Sequence, residues 1–135
     1  MIVDTSALLA YFDADERDHD AVSRVIDDAT ESLVVSPFVI AELDYLVGSR
    51  LGVRIELATL RELASGAWDL ATIGAGDLAS VCAVIEHYAD QDIGVADASN
   101  VVLADRHGTH TIVTLDRRHF DVLRPLGGGR FTVLP

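Results

Sequence analysis

Ile2-Val3-Asp4-Thr5-Ser6-Ala7-Leu8-Leu9-Ala10-Tyr11-Phe12 sets two elements back to back. Ile2-Val3 reads as a short buried strand that stops at a carboxylate, and an apolar helical turn follows from Ala7 to Phe12. A carboxylate beside a core has lost much of its water and needs a partner. The same layout recurs twice. Gly94-Val95-Ala96-Asp97 and Ile112-Val113-Thr114-Leu115-Asp116 also break an apolar run with an aspartate.

Outward from that stretch, the alternation continues. Leu33-Val34-Val35 predicts a second strand, and Ser36-Pro37 supplies a capping residue followed by proline at a first helical position. That helix is expected to reach about Ser49 and end near Gly52. Before it, an acidic loop spans residues 13–20, with Asp18 as N-cap of a helix over residues 21–29. A further helix is predicted over residues 53–65, with Leu57, Leu60, Leu63 and Ala64 on one side. Residues 68–71 read as a weaker strand. Leu78, Val81, Cys82 and Ile85 form a helical core stripe, which makes Cys82 a packed thiol. Gly94 precedes a helix ending near Arg106. Thr111 to Leu115 is a β-branched strand, Arg117 to Leu123 a short helical turn, and Phe131 to Leu134 a last strand after three glycines.

Strands alternating with helices predict one domain over residues 1–135, a three-layer α/β fold with a largely parallel sheet. Active sites in such sheets lie beyond the carboxyl ends of the strands. Asp4 and Asp116 fall there, with Asp97 in the first turns of one helix and Glu42 in the second turn of another. On its helix, Glu42 borders the stripe of Val39, Leu43, Leu46 and Val47, whereas Asp44 points away.

Composition narrows the function classes. The 135 residues are half hydrophobic, enough for a core without disulfides, and the single cysteine excludes an intrachain one. That fits a reducing cytoplasm. The N-terminus carries Asp4 and no basic segment, unlike a secretory leader, and no apolar run approaches a membrane span. Net charge is −12, with no lysine among the ten basic residues. Such a chain is a poor general binder of nucleic acid, so any RNA must be met at a local patch with the help of metal ions. Acid excess also suits a basic protein partner.

Asp4, Glu42, Asp97 and Asp116 are all oxygen donors, with no Cys or His at zinc spacing, a set that selects Mg²⁺ or Mn²⁺ over zinc. Taken singly, Asp4 could cap a helix and Asp116 could start a turn; it is the joint pattern that points to a metal. Asn100 lies one turn from Asp97, where it would orient a metal-bound water or touch RNA. Arg117, Arg118 and His119 follow Asp116 and are candidates for phosphate contact.

At these residues the chain resembles the PIN-domain ribonucleases, most closely the VapC toxins of bacterial toxin–antitoxin pairs. The resemblance lies in Val3-Asp4-Thr5-Ser6-Ala7-Leu8-Leu9, in Ser36-Pro37 through Ala41-Glu42-Leu43, in Asp97 with Asn100-Val101-Val102-Leu103-Ala104, and in Thr114 through Phe120. It spans nearly the whole chain in order. It implies a Rossmann-like α/β/α fold, a homodimer, and Mg²⁺-dependent RNA cleavage with Mn²⁺ as substitute. It also implies metal-binding and catalytic roles for Asp4, Glu42, Asp97 and Asp116, and a cognate VapB-type antitoxin that inserts a segment near the site. Asn100, where a further acid might have extended the cluster, is the one departure. Two rival readings remain at this point. An aspartyl-phosphate receiver or phosphatase would need a lysine that this chain lacks. A noncatalytic PIN-like binding module would be expected to lack carboxylates that are all present here.

Overall fold

The computed structural model describes all residues, Met1–Pro135. Five parallel strands form one sheet in the order β3-β2-β1-β4-β5. They are β1 (Ile2–Val3), β2 (Val34–Val35), β3 (Asp69–Leu70), β4 (Thr111–Val113) and β5 (Thr132–Leu134). Helices α1 (Thr5–Phe12), α2 (His19–Asp27), α3 (Pro37–Leu51) and α4 (Val53–Leu63) fill the first half of the chain. Helices α5 (Ala75–His87), α6 (Val95–Arg106) and α7 (Arg117–Phe120) fill the second.

The strands are two or three residues long, yet they divide the interior cleanly. Successive side chains of a strand point to opposite faces. Val3, Val35 and Val113 therefore join one core with α1 to α4, while Ile2, Val34 and Ile112 join another with α5 to α7. All six are buried. The result is the three-layer α/β/α arrangement expected from the alternation, with β1 at the centre of the sheet.

One local signal behaves as the sequence predicts. Ser36 caps α3, its Oγ accepting the Phe38 N–H at 3.2 Å, with Pro37 in the first turn. Trp68 closes the first core by edge-on packing against Tyr11, ring centroids 5.7 Å apart.

Other expectations need correction. Asp18 precedes α2 but makes no side-chain capping bond. On α4 the buried residues are Thr59 and Leu63, and Leu57 is exposed. On α5 only Val81 and Val84 are buried; Leu78 and Cys82 face solvent, so Cys82 is not a packed thiol. Both helices lie at the edge of the molecule and are covered along one narrow line, so the outer part of a broad apolar stripe stays open. Asp44, expected to be solvated, is half-buried, and Glu42 is the more exposed of the two.

Candidate active site

The carboxyl ends of β1 and β4 open into a cavity of about 500 Å³. Asp4, Glu42, Asp97 and Asp116 all line it, together with Arg118 and His119. Four different elements deliver the acids. Asp4 is the N-cap of α1, Glu42 lies in the second turn of α3, Asp97 in the first turn of α6, and Asp116 is the N-cap of α7. A buried hydrogen bond of 2.6 Å between Ser36 and Ser99 ties the start of α3 to α6 and sets two walls against each other.

Asp4 is the most enclosed of the four, 5% exposed. Its Oδ2 accepts from the Thr114 hydroxyl at 2.8 Å, the Ser6 hydroxyl at 2.9 Å and the Ser6 N–H at 3.4 Å. Its Oδ1 accepts from Asn100 Nδ2 at 3.0 Å. The two hydroxyls also accept backbone N–H groups of the turn after β4, Leu115 to Ser6 at 2.9 Å and Asp116 to Thr114 at 3.0 Å. The turn carrying Asp116 is thus bonded to the residues that hold Asp4. Burial raises the Asp4 pKa above the usual carboxylate value, and the Thr114 and Ser6 hydrogen bonds only partly offset it.

Asp97 accepts the Gly94 N–H at 3.2 Å. Its pKa is also raised, chiefly by burial. The Gly94 bond lowers it, the Asp4 charge raises it, and smaller opposing contributions come from His119 and Asp116. Glu42 is steered by the Thr5 hydroxyl, which donates to its Oε2 at 2.7 Å. His119 is wedged between two acids, its Nδ1 3.5 Å from Asp97 Oδ2 and 3.2 Å from Asp116 Oδ2. Neither ring nitrogen has a well-formed hydrogen-bond partner.

No three of these side chains are drawn up as a ready-made ligand cage. The donor set nevertheless fits a hard divalent cation. It is all oxygen, burial holds Asp4 and Asp97 above their ordinary pKa, the Asp4 charge adds to the shift of Asp97, and a nearly buried imidazole lies unpartnered between Asp97 and Asp116. Charge of this density in a cavity calls for a cation, and the cavity supplies none of its own beyond Arg118 at the rim, 3.8 Å from Asp116.

The four candidates for RNA contact separate. Arg118 lines the cavity with an exposed side chain. Arg117 turns away and donates to the Pro135 carbonyl oxygen at 2.8 Å. His119 is 9% exposed, and Asn100 is fully buried, so Asn100 holds Asp4 and meets no RNA. The roles of Thr5, Ser6 and Thr114 were missed in the sequence reading. Their signal was there, as hydroxyl residues one or two positions from an aspartate at a strand end.

Comparison with known proteins shows the family and the fold. The PIN-domain profile matches residues 1–124. Over the full length of both chains, the protein is 65% identical to Ribonuclease VapC26 of Mycobacterium tuberculosis (strain ATCC 25618 / H37Rv). Among solved structures it is similar to Mycobacterium tuberculosis VapC20, described as a sarcin–ricin loop cleaving toxin, with a TM-score of 0.86, 19% identity, and 99% and 98% of the two chains covered. It is also similar to VapBC2 from Rickettsia felis bound to a promoter DNA fragment, with a TM-score of 0.72, 14% identity, and coverage of 99% and 98%. At those identities the structural likenesses speak for the fold alone. The chain belongs to the PIN-domain family, in its branch of VapC ribonucleases.

Proposed function

We propose that the chain is a metal-dependent endoribonuclease, the toxin half of a toxin–antitoxin pair, cutting structured RNA such as transfer or ribosomal RNA. The observation that carries this reading is the convergence of Asp4, Glu42, Asp97 and Asp116 from four elements into one cavity at the strand ends. Its 65% identity to a named VapC ribonuclease supports the substrate class.

Asp4, buried, and Asp97, half-buried, would hold Mg²⁺, or Mn²⁺ in its place, with Glu42 and Asp116 completing the shell directly or through water. A divalent ion bound there supplies Lewis-acid polarisation of the phosphodiester and charge neutralisation. Glu42 is exposed to the cavity and oriented by Thr5, so it is placed to take the proton of the attacking water. As the water oxygen bonds to phosphorus, the P–O3′ bond breaks and O3′ takes up a proton from solvent, leaving a 5′-phosphate and a 3′-hydroxyl. Arg118 at the rim would pair with a phosphate oxygen. The raised pKa values of Asp4 and Asp97 imply that ion binding expels protons.

A VapB-type antitoxin and a homodimer belong to the same reading. Neighbours of this fold include VapBC complexes from Rickettsia felis and Salmonella typhimurium. The α3–α4 pair bears Tyr45, Val53 and Leu57 exposed, apolar surface of the kind a protein partner covers. No helix is long and apolar enough to cross a membrane, and we place the activity in the cytoplasm. The test is incubation of purified protein with total RNA, in Mn²⁺ and in chelator, with sequencing of the ends. Discrete cuts that need Mn²⁺ support the reading. Cuts that persist in chelator, or none in either condition, refute it.

A further inference from the structure

Asn100 is an interior amide on a helix whose neighbouring positions, Ser99 and Val101 to Ala104, are likewise buried. Asparagine is a poor residue for a helix interior, and an amide without full hydrogen bonding is a poor one for a core. Its Oδ1 has no partner at all. What it does have is one bond, Nδ2 to Asp4 Oδ1 at 3.0 Å. The amide is therefore held in one orientation, since a flip would set its oxygen against a carboxylate oxygen.

The acceptor inventory of Asp4 gives this bond a consequence. Each carboxylate oxygen has about two lone-pair directions. Oδ2 already receives three donors, from Thr114, Ser6 Oγ and the Ser6 N–H. Among the well-formed hydrogen bonds Oδ1 receives only Asn100, which leaves it the less occupied of the two oxygens. Resting on the metal reading above, we propose that Asn100 is a positioning residue for that reaction. It pins the Asp4 carboxylate so that Oδ1 alone, and not Oδ2, is offered to a divalent cation. Thr114 and Ser6 saturate the other oxygen, and Asn100 stops the carboxylate from rotating.

The experiment uses the full chain and Mn²⁺ as probe. Asn100→Leu keeps the branched shape of the side chain but removes the donor. Calorimetric titration should show Mn²⁺ affinity falling by about 10- to 100-fold, the range for groups that orient a metal ligand. A manganese-soaked wild-type crystal should place Oδ1 within bonding distance of the ion and Oδ2 beyond it. Thr114→Ser, which keeps the hydroxyl, should bind Mn²⁺ more tightly than Thr114→Val. Asn100→Leu with wild-type affinity, or Oδ2 bonded to the ion, overturns the proposal while the metal reading stands. Wild-type protein that binds no Mn²⁺ overturns both. If Asn100→Leu does not fold, the Thr114 pair decides, and equal affinities of the two overturn the proposal.

Discussion

The inner and outer walls of the cavity hold their carboxylates differently. Asp4, at the inner wall, is 5% exposed and receives four hydrogen bonds. At the outer wall Glu42 is exposed and receives one, from Thr5. Asp116, half-buried, receives the His119 N–H at 3.3 Å. The inner acid has exchanged water for fixed donors and cannot move, whereas the outer acids keep water and rotamer freedom. Fixed ligands set where an ion sits, and mobile ones can exchange contacts as substrate arrives. The wall that is costly to build should therefore be the wall on which metal binding depends.

The largest effect expected from that contrast is at Asp97, half-buried but set near enough to the inner acid for the Asp4 charge to raise its pKa. Asp97→Asn should lower RNA cleavage by more than about 100-fold, beyond what loss of an orienting group gives, with the fold intact by circular dichroism. A rate near wild type would erase the distinction between the walls. Glu42→Gln should lower kcat by about 100-fold, as for loss of a general base, while leaving Mn²⁺ affinity within a few-fold of wild type in titration. If Mn²⁺ binding is lost instead, Glu42 belongs with the inner wall.

Arg118→Ala should raise KM by about 10-fold with little change in kcat, the pattern of a contact made equally to substrate and transition state. Arg117→Ala, whose guanidinium is engaged by Pro135, should change neither. Equal effects in steady-state kinetics would remove the assignment of Arg118 to the rim.

The smallest effect is on stability. Asp4 and Asp97 titrate above the ordinary value of 3.8 in the folded chain. Their protonated forms stabilise the fold fully below that value, and the contribution is lost as pH rises through the raised pKa. In chelator, the melting temperature should therefore climb as pH falls from neutral through the raised pKa values of the two acids, and Asp97→Asn should flatten the climb. Asp77 has the opposite sign. Its pKa is lowered, first by the Gly74 N–H and then by Arg106, so its contribution is full above 3.8 and is lost as pH falls through the lowered pKa. Adding Mn²⁺ should reverse the slope, because an ion bound by the charged acids is lost as they are protonated. A melting temperature independent of pH in chelator would contradict the burial of these groups.

Much of this architecture was legible in the chain. Four of the five strands announce themselves by β-branched residues, β3 (Asp69–Leu70) being the exception, and Asp4 and Asp116 by following β1 and β4. Ser36-Pro37 is a local signal, so it survives without tertiary information. Leu78 and Cys82 misled because periodicity marks a face but not how much of it a neighbour covers, and α5 is covered only near Val81 and Val84. The hydroxyl bonds to Asp4 were invisible for another reason. Thr114 lies 110 residues away in sequence and Asn100 lies 96, and only the parallel pairing of β1 with β4 brings that turn to the end of β1. Asn100 was placed correctly beside Asp97, but its burial reversed its role from reaching outward to holding a neighbour.

The central claim is that four carboxylates from separate elements act together on one divalent ion. Anomalous diffraction from a manganese-soaked crystal tests it most directly. A peak between Asp4 and Asp97, within reach of Glu42 and Asp116, is the result this account predicts; a cavity without a peak at saturating Mn²⁺ would contradict it.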